Sequence, residues 1–328
     1  MLVGSHRVIL SAVTAPASSL RPLARLWAPG RPVDLGATWG TLRRGAGDPT
    51  WKVANGVLWR GVRTPFGPAT LRVAVRSAEG RLACHAWGTP EAAGWLLERL
   101  PQMLGQDDDP SGFVPHHEQV ATALVRRGAG WRVPRTGLVL ESLVPAIIEQ
   151  KVTGQEAFGG YRRLVRRLGE IAPGPGSELG LYVAPDAEQL RRVPSWEWLR
   201  MGVSPQRADT LMRVTRVADR LAQITDLPLP QAHRRMRAVP GVGVWTASET
   251  AQRALGDADA VSFGDYHVAK NIGWALTGQE VDDDGLAELL EPYRGHRYRV
   301  QRLLELAGAM RPRRGPRMAP RRHLPTPS

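Results

Sequence analysis

The spacing of hydrophobic positions changes character near residue 110. Between Leu20 and Gly105 it breaks into short runs rich in Val, Leu and Trp: Val57–Val62, Thr70–Arg76 and Arg81–Trp87. Thr64–Pro68 and Glu79–Gly80 separate them with turn-forming residues, which predicts antiparallel strands. Asp34 is placed to cap a helix over 35–44. Thr89-Pro90-Glu91 supplies a capping hydroxyl, a proline for the first turn and an acid at the positive end of the dipole, so a helix is expected to about Leu104. After Gln106–Pro110, read as a linker, strand signals nearly vanish and three- and four-residue steps take over. Helices are expected over 116–127, 138–152, 156–169, 186–200, 205–223, 230–238, 245–255, 265–276, 284–291 and 296–309. In the second, Leu140, Leu143, Val144, Ile147 and Ile148 mark the apolar stripe, and Pro145 falls inside it.

The expected fold class is therefore mainly α. An N-terminal extension (1–18) precedes a small antiparallel α+β domain (19–110). An all-α domain (111–310) and a basic tail (311–328) follow. No internal repeat is present.

Composition adds a partner class. Lys and Arg number 44 against 31 Asp and Glu, a net charge of +13, with a pI of about 11.0. Such a balance points to an anionic partner. The excess is uneven: residues 1–110 carry +5, residues 111–310 only +2 and residues 311–328 +6. The proline-rich tail reads either as a disordered arm that touches phosphates or as a solubilising segment. The single cysteine, Cys84, excludes an internal disulfide and any cysteine-ligated zinc or iron–sulfur site within one chain. No apolar run approaches the roughly 20 residues of a membrane helix, and Val8–Ala15 is too short for a secretory signal. The expectation is a soluble cytoplasmic monomer with no membrane partner.

The chemistry concentrates at 232–270. An amphipathic helix ends at Val239, Pro240-Gly241-Val242-Gly243 forms a tight turn, and a second helix starts near Val244. Unpaired N–H groups and the dipole at that second start favour a phosphodiester, making Pro240, Gly241, Val242, Gly243, Val244 and Thr246 candidate DNA contacts. Asp265 follows in Phe263-Gly264-Asp265-Tyr266-His267 at the head of another helical run. Taken alone it reads first as an N-cap, the commonest job of such an Asp.

Hairpin and aspartate together resemble the helix-hairpin-helix DNA glycosylases, most of all the 3-methyladenine DNA glycosylase II type. Gly137–Ala157 looks like that family's helix leading into a DNA-facing loop, with Gln150 matching a family Gln. Gly202-Val-Ser-Pro-Gln-Arg207-Ala208 looks like another family helix start. The resemblance covers roughly residues 20–310. It implies a monofunctional enzyme of base excision repair that flips a damaged base out of double-stranded DNA and hydrolyses its N-glycosidic bond, with Asp265 catalytic. Strand-cutting relatives use a lysine two residues after the hairpin's second glycine; here that place is Trp245. No redox cofactor is implied, and no iron–sulfur cluster. A monovalent cation would sit on the main-chain carbonyls of Arg237, Val239 and Val242.

By resemblance the base pocket comprises Trp245, Glu249, Gln150, Tyr266 and His296. Three positions depart from the family pattern. Glu249 replaces an aromatic residue one turn after the Trp. His296 replaces a second Trp, and is expected to pair with Glu249 or to stack. Lys151 replaces the intercalating Leu. These departures leave room for another lesion, such as a deaminated purine or a bulky adduct, or for a DNA-damage-binding protein without activity.

Overall fold

The computed structural model describes residues 20–76 and 79–312; the extension over 1–18 and the tail beyond residue 312 lie outside that range. Strands β1 (Leu23–Trp27), β2 (Trp51–Ala54), β3 (Val57–Thr64), β4 (Gly67–Arg76) and β5 (Arg81–Trp87) form one antiparallel sheet in the order β1-β5-β4-β3-β2. The three strands expected from sequence are its centre. The two without a clear sequence signal are its edges, where β1 is largely exposed and leaves no alternation to read. Leu58, Leu71, Val73 and Cys84 pack with Ala92, Leu96 and Leu100 of helix α2 (Pro90–Met103) in one core. Both expected caps form: Asp34 Oδ1 accepts the Ala37 amide at 2.9 Å ahead of α1 (Leu35–Trp39), and Thr89 Oγ1 accepts the Ala92 amide at 3.2 Å ahead of α2.

The segment read as a linker is pinned rather than loose. The Asp108 side chain is buried, forks onto the Arg299 guanidinium at 3.0 and 2.5 Å, and accepts the Val133 amide.

The remaining described helices are α3 (Glu118–Ala123), α4 (Val139–Ile148), α5 (Gly154–Leu168), α6 (Pro175–Glu178), α7 (Ala187–Arg191), α8 (Ser195–Arg200), α9 (Pro205–Arg216), α10 (Ala218–Ala222), α11 (Leu229–Arg237), α12 (Val244–Ala254), α13 (Val268–Thr277), α14 (Asp283–Leu290) and α15 (Arg297–Ala307). Two expected helices are each split in two. The 186–200 run breaks before Ser195, where Pro194 takes an extended N-cap conformation, and the 205–223 run breaks at Val217. A short hairpin, β6 (Glu170–Ile171) and β7 (Tyr182–Val183), stands where no strands are expected. It packs on the sheet. The Tyr182 amide donates to the Pro49 carbonyl at 2.9 Å, and a Cβ on Gly61 would lie 2.1 Å from the Tyr182 carbonyl oxygen, so only glycine fits in β3 there.

The helices close two apolar cores. Residues such as Leu143, Ile147, Leu211 and Met236 build one with Ala247, Ala251 and Ala254 of α12. Those alanines carry no bulk, so α12 lies close to α4. Val120, Ile272, Leu286 and Leu304 centre the other. The seam between α12 in the first core and α13 in the second carries the site.

Candidate active site

The hairpin joins α11 to α12 as the sequence predicts. Val239 and Val242 anchor it in the core, the Val242 amide donating to the Val239 carbonyl at 3.0 Å. Gly241 has φ +96, and a Cβ there would lie 2.2 Å from Thr210 Oγ1. The fold itself therefore demands glycine at 241. Gly243 is different. Its backbone is extended, and a Cβ added there would meet nothing within 4 Å. It supplies no side-chain cap to α12, so the first-turn N–H groups stay open. Pro240, Gly241, Gly243 and Val244 are exposed around them. Val242 and Thr246, also expected to touch DNA, have buried side chains and can offer only main-chain groups.

Asp265 lies across from the start of α12. Its Oδ1 accepts the amides of His267 at 2.8 Å and Val268 at 3.2 Å, which makes it a cap for α13. Its Oδ2 accepts the Trp245 indole N–H at 3.2 Å. One oxygen of Asp265 thus holds the helix start, and the other is directed to the hairpin's helix.

The loop after α4 is fixed from three sides. Arg207 donates to the Ile148 carbonyl at 2.5 Å and to the Gly202 carbonyl at 3.1 Å. Gln150 donates to the Gly241 carbonyl at 2.9 Å and to Thr246 Oγ1 at 2.8 Å, so its amide serves the hairpin rather than a base pocket. Thr153 and Glu156 close a capping box at the head of α5. Between these anchors Lys151 is exposed and holds φ +52, a left-handed conformation that a non-glycine residue adopts at a cost.

Beneath the surface lies a charge network that the sequence does not disclose. Trp245, Glu249 and Arg253 follow at four-residue steps along α12. Glu249 is buried, pairs with Arg253 at 2.8 Å and accepts the Ser262 hydroxyl at 2.5 Å. Burial opposes its ionisation, but Arg253, Ser262 and Arg44 outweigh burial and hold its carboxyl below the ordinary range. Arg253 also donates to the Thr41 carbonyl at 2.8 Å. Arg44 lies 3.2 Å from Glu149. Both Thr41 and Arg44 come from the segment between β1 and β2, so the sheet region reaches under the site. The expected Glu249–His296 pair is not formed: His296 instead meets the Phe113 ring edge-on at 5.7 Å and accepts Arg299 Nε at 3.3 Å. Tyr266 is 70% exposed, with the Lys270 ammonium 4.2 Å over its ring.

Among the described residues no cluster of three His, Cys, Asp or Glu is placed to hold a metal, and no helix is long and apolar enough to cross a membrane. The Arg237, Val239 and Val242 carbonyls are the oxygen donors that a hard cation takes; that of Val239 already accepts one amide, leaving its second lone pair.

No protein-family model matches the chain. Over 181 residues it is 30% identical to the probable bifunctional transcriptional activator/DNA repair enzyme AlkA of Mycobacterium tuberculosis, a match spanning 53% of this chain and 36% of that protein. The chain thus accounts for about a third of the length of the curated relatives it matches. Its structure superposes on a 3-methyladenine DNA glycosylase from Archaeoglobus fulgidus with a TM-score of 0.73 and 17% identity, over 86% of this chain and 97% of the other. An 8-oxoguanine glycosylase/lyase from Clostridium acetobutylicum gives a TM-score of 0.65 and 13% identity, over 87% and 97%. The chain has the fold of these DNA glycosylases, and over part of its length its sequence is similar to that of AlkA.

Proposed function

We propose that the protein is a monofunctional DNA N-glycosylase that removes alkylated bases of the 3-methyladenine type in base excision repair. The observation that carries this reading is the Trp245–Asp265 hydrogen bond. It sets a carboxylate beside the helix whose open N-terminus suits a phosphodiester, so a clamped strand would present a sugar to that carboxylate. Alkylation makes the base a good cationic leaving group. Departure leaves oxocarbenium character on the sugar, which Asp265 stabilises while orienting or deprotonating water. The base must first leave the stack, at a cost of a few kcal/mol that is smallest for a damaged base. Lys151, exposed beside the hairpin, probes the duplex. Trp245 has no amine to form a Schiff base, which supports hydrolysis without strand cleavage. The Arg237, Val239 and Val242 carbonyls would hold a monovalent cation that stiffens the phosphate clamp.

Glu249 favours a second reading in part. Its carboxylate, locked to Arg253 and Ser262, leaves no aromatic ring one turn beyond Trp245. A lesion other than a cationic alkylpurine fits such a site.

The test is a panel of methylated, hypoxanthine-containing and undamaged duplexes, read for free base and alkali-labile sites. Release from the methylated duplex alone, with strands intact until alkali, is expected. Strand cleavage without alkali contradicts the monofunctional assignment. Tight DNA binding with no release from any lesion contradicts the enzymatic one.

A further inference from the structure

Residues 205–243 run through α9, α10 and α11 to the end of the hairpin turn. They carry seven arginines against three aspartates, whereas the rest of residues 111–310 holds more acids than bases. The positive charge of the helical domain is thus gathered on the elements that lead into the hairpin.

Arg207 is buried and tied to the end of α4. The other six are exposed: Arg213, Arg216 and Arg220 on α9 and α10, and Arg234, Arg235 and Arg237 on α11. Among the described residues none of the six has a carboxylate at ion-pair distance. Exposed arginines elsewhere do find one, as Arg192 finds Glu188 and Arg294 finds Glu291.

Two of the six show how the helices lie. Arg213 Nη1 donates to the Pro240 carbonyl at 3.4 Å, on the hairpin itself, and Arg235 Nη1 donates to the Arg220 carbonyl at 3.5 Å. α11 therefore lies beside α9 and α10, with a guanidinium crossing at each of two places. Both bonds are long, and each guanidinium keeps donors for another acceptor. Arg213 to Arg220 spans about 10 Å of helix, the rise of about three nucleotides of one strand.

We propose that these arginines form a phosphate track that continues the hairpin, so that duplex DNA is gripped by its backbone beyond the phosphodiester at the start of α12. The proposal rests on the DNA glycosylase reading given above. Charge and continuity name the occupant: unpaired guanidiniums adjoin a helix start whose open N–H groups suit a phosphate. Residues 205–243 contain no Phe, Trp or Tyr on which an unpaired base could stack, so the track fits the outside of a duplex rather than a single strand.

The test is the affinity of the full chain for an undamaged duplex, read by fluorescence anisotropy from about 50 to about 200 mM salt. Arg213→Gln and Arg235→Gln are each expected to weaken binding several-fold and to reduce the slope of log affinity against log salt by about one, and the double variant by about two. Tm should stay within about 2 °C of wild type. Arg81→Gln, an equal loss of charge at an exposed position on β5, should leave the slope unchanged. A double variant with the wild-type slope overturns the proposal; if its Tm falls as well, the arginines serve the helix dipoles at the ends of α9 and α11 instead. An equal loss of slope in Arg81→Gln also overturns it. Base release does not enter this readout, so a chain that binds through the track yet releases no lesion supports the proposal while contradicting the enzymatic reading.

Discussion

Trp245 donates its indole N–H to Asp265 Oδ2 at 3.2 Å, and this bond spans the seam between the two helical cores. It fixes the carboxylate relative to the first turn of α12. The open helix start proposed to take a phosphate and the carboxylate proposed to act on the adjoining sugar are thereby set in one frame.

Removing that N–H while keeping a ring isolates its role. Trp245→Phe is expected to lower the single-turnover rate of base release by roughly tenfold and to leave affinity for an undamaged duplex unchanged. Parallel kinetic and binding titrations check this; an equal loss in both assigns Trp245 to DNA binding instead.

The two hairpin glycines should separate cleanly. Gly241→Ala meets both a positive φ and Thr210, and is expected to cost about 1–3 kcal/mol of stability. Gly243→Ala meets open space, so its unfolding should shift by no more than about 0.5 kcal/mol, while DNA affinity falls several-fold because a methyl group intrudes where a phosphate approaches. Thermal unfolding and binding titrations report the contrast.

Glu249 is held ionised by Arg253 and Ser262 despite burial. Its folded value is depressed, so its contribution is present above the unfolded value and is lost as pH falls through the folded one. Glu249→Gln strands Arg253 in the core and is expected to cost about 3–5 kcal/mol at pH 7. The gap to wild type should narrow in denaturant titrations carried down through the acidic range.

Lys151 carries backbone strain at an exposed position. Lys151→Gly should gain up to about 1 kcal/mol in stability yet bind duplex DNA more weakly, with the slope of log affinity against log salt reduced by about one.

Much of this arrangement is legible in the residues because its signals are local. Thr89-Pro90-Glu91 announces α2, Pro240–Gly243 announces the hairpin, and Gly264-Asp265 announces α13. The misses are of another kind. Strands β6 and β7 are two residues each, too short to show alternation. Arg44 and Glu149 meet across more than a hundred residues, and Arg207, in the helix expected over 205–223, reaches the end of α4 across 59 residues. Ion pairs of this range leave no periodic trace. Resemblance alone puts Gln150 in the base pocket; its amide is spent on Gly241 and Thr246.

On the proposed reading, Asp265 drives base release at a site the hairpin positions. The most direct measurement compares wild type and Asp265→Asn for single-turnover release of free base from a methylated duplex, at enzyme concentrations that saturate the DNA. A loss of at least about a hundredfold is expected with duplex affinity retained, since Asn keeps an oxygen that can cap α13. Release at the wild-type rate by Asp265→Asn would contradict it.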